Sequence, residues 1–512
     1  MPFVLAATSG LLLAFSFPSV GHPAFAWAAL APLLLALQRT TVRQAFTLGL
    51  ITGIVYFTGT LYWITRVMTV YGGLAPVVAG LVNALLIAYL ALYPALFAMV
   101  MSRFASALGP RSLAVAPFVW VATELGRSHI MTGFPWVLLG YSQTTVLPVA
   151  QLASVLGIYG LSGLVASVSA ALAYAAVRNL PPRSGVVMRT PGMAAYRPLV
   201  ITIGVVVAVG VWGSARMRDN ALTREGEPIT VGLIQGNVDQ ADKWDERRAS
   251  GIFREYLDMT RRAITDGAQV VLWPESSIPF YFEEDRPGAE QIRAIARETK
   301  TPILIGSDQI DRSTPQTKYY NSAFLVRPDG VTGAIYRKMH LVPFGEYVPL
   351  KTLLFFAGPL VEAVSDFSAG DAAVLLPVRG HFISTSICYE VVYPGLVRQM
   401  AAGGADLLTT ITNDAWFGRT SAPYQHFEQA SMRAIENGRY LVRAANTGFS
   451  GIVDPYGRVR ARTALYEPAI VVGEARFVRA RTIYSRIGDV FAYASTLLTL
   501  GVLLLVRRRR VE

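Results

Sequence analysis

The chain has a single cysteine, Cys388, and a thiol attacks only as its thiolate, so the first question is what could take its proton. With an ordinary pKa of ~8.5 the thiol is mostly protonated at neutral pH and needs a base or a cation beside it. Three segments end apolar runs with side chains that could meet that need. Leu272-Trp273-Pro274-Glu275-Ser276 places a carboxylate where a proline stops a strand. Tyr336-Arg337-Lys338-Met339-His340 places a lysine ahead of the turn Pro343-Phe344-Gly345 and a second carboxylate, Glu346. Ile383-Ser384-Thr385-Ser386-Ile387-Cys388-Tyr389-Glu390 runs a strand straight into the thiol. In this set Glu275 can take the proton, while Lys338 and the backbone N–H after Cys388 can hold the oxyanion of a tetrahedral intermediate in acyl transfer. His340 and His426 offer a Cys/His pair instead. Taken singly, the three residues also read as an inert buried thiol, a turn glutamate and a solvated lysine, and it is their joint order that favours chemistry. One cysteine excludes an intrachain disulfide, and no Cys/His spacing suits a metal, so neither metal nor cofactor is expected.

Strand ends must bring these segments together. Short β-branched runs at 229–234, 270–273, 303–306 and 407–411 alternate with amphipathic stretches at 246–266 and 287–299. Strand, helix, strand order with nearly continuous apolar strands predicts an α/β domain over residues 228–475, with ligands in the crevice at the strand ends.

The rest of the chain is too apolar for an ordinary soluble fold, since 53% of the 512 residues are hydrophobic and only 16% charged. Apolar stretches near 2–17, 24–37, 46–65, 72–101, 112–125, 146–177, 198–214 and 485–506 predict about eight transmembrane helices, the second and fifth short for a crossing of ~20 residues. Ala24-Phe25-Ala26 has the form of a cleavage site, but no Lys or Arg precedes it and apolar sequence follows, so the first span is read as retained. Basic clusters (Arg39 and Arg43; Arg103 and Arg111; Arg178, Arg183, Arg189 and Arg197; Arg507 to Arg510) follow alternate spans. The positive-inside rule then puts both termini in the cytoplasm and the α/β domain outside. The expected organisation is a membrane domain at 1–214 with seven helices, a linker at 215–227, the domain at 228–475, a last helix at 485–506 and a cytoplasmic tail at 507–512. Because the arginines lie between apolar runs, the net charge of +12 describes topology and no nucleic-acid partner is expected. Glu124 is nearly the only ionisable residue inside a span, which argues against a transporter.

The Glu275, Lys338 and Cys388 segments resemble the Glu-Lys-Cys signature of the carbon-nitrogen hydrolase (nitrilase) superfamily, whose members fold as αββα sandwiches and form thioesters. With its spans, including Thr132-Gly133-Phe134-Pro135-Trp136 and Gly140-Tyr141-Ser142-Gln143, the whole chain resembles the bacterial apolipoprotein N-acyltransferases. Gln235-Gly236-Asn237, Lys243-Trp244, Phe344-Gly345-Glu346-Tyr347, Cys388-Tyr389-Glu390 and Asn413-Asp414-Ala415-Trp416-Phe417 also match that family. The resemblance implies a transmembrane helical bundle carrying a nitrilase-like α/β domain on the periplasmic face of the inner membrane. It implies that Cys388, activated by Glu275, takes an sn-1 acyl chain from a phospholipid and passes it to the N-terminal amine of a diacylglyceryl-cysteine apolipoprotein. It further implies Lys338 on the oxyanion, Glu346 beside the lysine, Tyr389 and Glu390 shaping the site, Asn413 and Trp416 supporting it, and Trp244 on a gating arm. Leu353, Leu354, Phe355, Phe356 and Leu360 read either as a loop sealing the entrance at the membrane interface or as a core helix. The same triad would also serve a membrane-tethered amidase or nitrilase hydrolysing a C–N bond.

Overall fold

The computed structural model describes residues 1–38, 40–179, 193–239, 246–313, 315–347 and 366–508. The chain divides into two compact units: Met1–Thr65, Pro76–Asp219 and the segment from Ile487 on form one, Arg66–Ala75 and Asn220–Arg486 the other.

The first unit is helical. Its helices include Pro2–Ala14, Ala31–Leu37, Val42–Leu61, Pro76–Leu108, Ala116–His129, Ala153–Asn179, Arg197–Asp219 and Val490–Arg508, one in each expected apolar stretch. Among the described residues, five helical stretches are long and apolar enough to cross a membrane: Val42–Leu61, Pro76–Thr132, Ala153–Asn179, Arg197–Thr223 and Val490–Arg508. Pro2–Ala14, at 13 residues, spans only about 20 Å at 1.5 Å per residue, short of the ~30 Å hydrocarbon thickness. Two expected spans, near 72–101 and 112–125, form the single stretch Pro76–Thr132, joined through a 3₁₀ segment at Gly109–Val115. Small residues let helices meet closely: a Cβ on Gly49 would lie 2.4 Å from the Pro94 carbonyl oxygen, and one on Gly53 2.6 Å from Ala91 Cα. Glu124 is joined by Arg127 as a second buried charge on Ala116–His129. Glu124 Oε1 accepts from Leu139 N at 2.7 Å and Arg127 donates to the Trp136 carbonyl at 2.7 Å, so the two charges hold the Phe134–Leu139 segment.

The second unit is the expected α/β sandwich. Its strands are β1 (Glu227–Gln235), β2 (Val270–Leu272), β3 (Ile303–Asp311), β4 (Lys318–Val326), β5 (Thr332–Arg337), β6 (Leu376–Val378), β7 (His381–Ile387), β8 (Leu407–Thr412), β9 (Leu441–Ala445), β10 (Gly451–Val453), β11 (Val459–Arg462) and β12 (Ala469–Phe477). They form two six-stranded sheets, ordered β12-β1-β2-β3-β4-β5 and β11-β10-β9-β8-β7-β6. Alternation sorts their side chains. Ile229, Val231, Leu233, Leu272 and Leu304 point between the sheets to meet Ile383, Ile411, Val442 and Ala444, while Val271, Trp273, Ile303 and Ile305 face the helices Glu246–Thr265 and Arg286–Thr299. Helices Pro394–Ala402 and Ala422–Asn437 cover the second sheet. The parallel pairs β1/β2, β2/β3, β7/β8 and β8/β9 set the ends of β2, β7 and β8 in register with their neighbours, and those ends carry the reactive residues.

Candidate active site

Glu275 leaves the end of β2 after Pro274 and is almost fully buried. Close backbone packing puts it there. A Cβ on Gly306 of β3 would sit 2.3 Å from the Pro274 carbonyl oxygen and 2.7 Å from Glu275 Cα, nearer than any side chain tolerates. Lys338 follows β5, 1% exposed, with its backbone N–H tied to the Asn321 carbonyl at 2.8 Å. Its ammonium donates to Glu346 Oε1 at 2.8 Å and to Glu275 Oε1 at 3.4 Å. Burial disfavours the ammonium, yet Glu346 and Glu275 more than reverse this and hold Lys338 above the ordinary lysine range.

Cys388 follows β7 in the left-handed region, at φ +52°, where the chain breaks into a 3₁₀ turn, Cys388–Val392. A non-glycine residue there is unusual and marks a turn held by its surroundings. The residue is 7% exposed. Burial and the Glu275 charge push the thiol well above its ordinary range, and Lys338 pulls it back only in part. Glu275, Lys338 and Cys388, from three different strand ends, are therefore neighbours in one buried, charged site, although 113 residues separate the first from the last.

The surrounding side chains fix these positions. Glu346 Oε2 accepts from Val342 N at 2.8 Å, closing its own turn and leaving Oε1 for the lysine. Glu390, fully buried, accepts from Ile387 N at 2.7 Å, Met339 N at 2.7 Å, His340 N at 3.0 Å and Tyr336 OH at 2.8 Å. One carboxylate thus ties the residue before the thiol to the two residues after the lysine. Burial pushes Glu390 up to about 7 against these donors. Asn413, just after β8, donates its backbone N–H to Glu275 Oε2 at 2.9 Å. Trp416, on the next turn, packs edge-on against Tyr71 at 5.1 Å, and Tyr71 OH donates to the Ala415 carbonyl at 2.8 Å. Tyr389 lies with His340 and Tyr393 in an aromatic group, His340 and Tyr393 being 3.8 Å apart. Trp244 and Lys243, and the apolar run with Leu353, Leu354, Phe355, Phe356 and Leu360, lie outside the described residues.

The two histidines are held by groups other than the thiol proton's acceptor: Tyr393 for His340 and the Cys388 carbonyl for His426. His340 stacks on Tyr393, and burial and Lys338 hold it down to about 4. His426 reaches Cys388 through the backbone, its Nε2 3.2 Å from the Cys388 carbonyl oxygen. Residue patterns alone do not single out Asn321. Asn321 of β4 donates to Glu275 Oε1 at 2.7 Å and to Glu346 Oε1 at 2.9 Å, bridging the two carboxylates. In the sequence it is one amide beside Ser322 in a strand that begins with Lys318, and only its burial shows that it must find a partner.

Comparison with known proteins agrees with both halves of the chain. Residues 9–171 match the model of the apolipoprotein N-acyltransferase N-terminal domain and residues 230–483 that of carbon-nitrogen hydrolases. The apolipoprotein N-acyltransferase of Geobacter metallireducens is 42% identical over 493 residues, covering 96% of this chain and 92% of that protein. That of Methylococcus capsulatus is 33% identical, covering 99% and 97%. Among solved structures, an amidase of the nitrilase superfamily from Nesterenkonia superposes with a TM-score of 0.40 at 23% identity, over 53% of this chain and 97% of that one. The chain belongs to the apolipoprotein N-acyltransferase family.

Proposed function

We propose that this enzyme moves an acyl chain from a phospholipid to the N-terminal amine of a diacylglyceryl-cysteine apolipoprotein, carrying it between the two as a thioester on Cys388. The observation that carries the reading is the buried thiol at a strained strand end beside a carboxylate and an ammonium, in a chain with bilayer-length apolar helices. Because burial and Glu275 keep the thiol protonated, attack and proton removal occur together. Cys388 Sγ adds to the ester carbonyl carbon while Glu275 takes the thiol proton. Glu275 Oε1, 3.4 Å from the Lys338 ammonium, is the carboxylate placed in the site to take that proton.

The oxyanion forms beside Lys338. Since Glu346 lies nearer the lysine than Glu275 does, Lys338 keeps a counterion when Glu275 becomes neutral, and stays charged for the oxyanion. Collapse breaks the ester C–O bond, the lysophospholipid oxygen takes the proton from Glu275, and the thioester remains. The acceptor amine then attacks the thioester, Glu275 takes its proton, and the departing sulfur recovers that proton.

The membrane placement follows from the substrates. Both are anchored by acyl chains, and extracting one costs ~0.8 kcal/mol per exposed CH₂, a cost removed by holding the domain at the bilayer. We keep the topology in which about eight segments cross or enter the bilayer, both termini are cytoplasmic and the sandwich is periplasmic, supported by the alternation of the arginine clusters. The test presents the purified protein in phospholipid vesicles with a diacylglyceryl-cysteine peptide. N-acyl peptide and lysophospholipid in equal amounts are expected. Free fatty acid with unmodified peptide would make the chain a hydrolase and overturn the proposal.

A further inference from the structure

The left-handed turn at Cys388 takes that residue out of the β7 ladder, so its buried carbonyl needs a donor from elsewhere. His426, on the helix Ala422–Asn437 and wholly buried, supplies it: Nε2 lies 3.2 Å from the Cys388 carbonyl oxygen. A carbonyl has no hydrogen to give, so Nε2 must carry one. The other ring nitrogen is held in turn. Nδ1 lies 3.0 Å from Asp414 Oδ1 and 3.0 Å from Arg443 Nη2, while Arg443 Nη2 bonds Asp414 Oδ2 at 2.7 Å. Thr412 Oγ1 adds a bond to Asp414 Oδ1 at 2.9 Å, and Arg443 Nε donates to the Phe449 carbonyl at 3.1 Å. Asp414, His426 and Arg443 are all fully buried, so ring orientation is set by fixed partners from the turn after β8 and from β9. Burial and the Arg443 charge favour the neutral imidazole; with its hydrogen on Nε2, Nδ1 accepts from Arg443 Nη2, and Asp414 orients the ring through the Arg443 guanidinium it binds.

We propose that His426 is a positioning residue for the nucleophile: its Nε2–H fixes the Cys388 carbonyl, and with it the left-handed turn that aims the thiol at Glu275 and Lys338, while Asp414 and Arg443 orient the ring. It rests on the reading of Cys388 as the acylated residue. His426 acts through the backbone and touches neither the thiol proton nor the acyl group, so it takes no part in proton transfer.

Two polar substitutions separate the halves of the ring. His426→Gln puts an amide N–H where Nε2 was and keeps the hydrogen bond to Cys388, whereas His426→Asn reaches only the Asp414 side. Both full-length variants are loaded with acyl groups from phosphatidylethanolamine vesicles, followed by intact-mass spectrometry over a range of lipid concentrations and pH. His426→Asn is expected to lower the maximal loading rate by about 100-fold, the scale of a 1 Å misplacement of a reacting group, with the half-saturating lipid concentration and the shape of the pH profile unchanged. His426→Gln is expected to recover most of that loss. Equal rates in the two variants, or loss of a titration limb in either, would overturn the inference. Should either variant fail to fold, the wild-type protein labelled with ¹⁵N-histidine answers by itself: one fully buried imidazole protonated on Nε2 is required, and a bare Nε2 there refutes the contact. Absence of any adduct in the wild type would instead refute the thioester reading, so the two failures are distinguishable.

Discussion

Glu390→Gln tests whether the site depends on a buried carboxylate that ties Ile387 to Tyr336, Met339 and His340. Glu390 Oε1 receives three donors, Met339 N, His340 N and Tyr336 OH, and a glutamine oxygen can keep all three. Oε2 receives Ile387 N at 2.7 Å, and there the variant presents an NH₂ group to an N–H. One buried donor is left unpaired, at a cost of about 1–3 kcal/mol. Ile387 immediately precedes the nucleophile, so if that cost falls on the transition state, loading slows by about 5- to 150-fold, at 1.36 kcal/mol per factor of ten. The assay is single-turnover acyl loading by intact-mass spectrometry, paired with a thermal melt to show what part of the cost is borne by the folded state. Because burial raises Glu390 to about 7, a growing share of wild-type protein carries a protonated Glu390 as pH falls below that value, and the gap between wild type and variant narrows. Loading within twofold of wild type, with an unchanged melt, would refute the claim that this carboxylate holds the nucleophile's strand to the lysine's segment.

Further outcomes follow from the same geometry. Lys338→Met leaves Glu275 and Glu346 buried without their cation and lowers the melting temperature; adding Glu346→Gln restores much of the melting temperature but not loading, which stays down by at least about 100-fold, the cost of losing an oxyanion donor. Gly306→Ala drives a methyl group into Pro274 and Glu275, so loading falls far more than the melting temperature does, as a rate series against a melt shows. His340 is neutral when folded and protonated when unfolded between about pH 4 and 6.5, so the unfolded state binds more protons there. Its contribution to stability is complete above pH 6.5 and is lost as pH falls toward 4. His340→Phe keeps the stack on Tyr393 and flattens that acid limb in melts taken at pH 7.5 and 5.

The parts of this molecule that repeat along the chain were legible, and those that depend on single long-range contacts were not. β-branched runs announced β1, β2, β3 and β8, and amphipathic spacing announced helices within a residue of Glu246–Thr265 and Arg286–Thr299, because burial on one or both faces must be written into residue order. Glu275, Lys338 and Cys388 stood out since each ends an apolar run with a group that cannot be buried cheaply. Helix length was harder: hydropathy marks apolar residues but not where a turn or 3₁₀ segment divides or joins them, so about eight expected spans meet, among the described residues, five stretches of crossing length. Asn321 was invisible as one polar residue in a strand. His426 looked like a base for the thiol, and only the structure turns it to the backbone carbonyl. Tyr71 was no more legible, since its partners Ala415 and Trp416 lie more than 340 residues away.

The central claim is that Cys388 carries the acyl chain, and its most direct test is peptide mass spectrometry of the purified protein after incubation with phospholipid alone. One acyl chain is expected on the Cys388 peptide, released by neutral hydroxylamine, discharged by a diacylglyceryl-cysteine peptide and absent from Cys388→Ala. N-acyl product formed with no such adduct, or with the acyl chain on another residue, would contradict it.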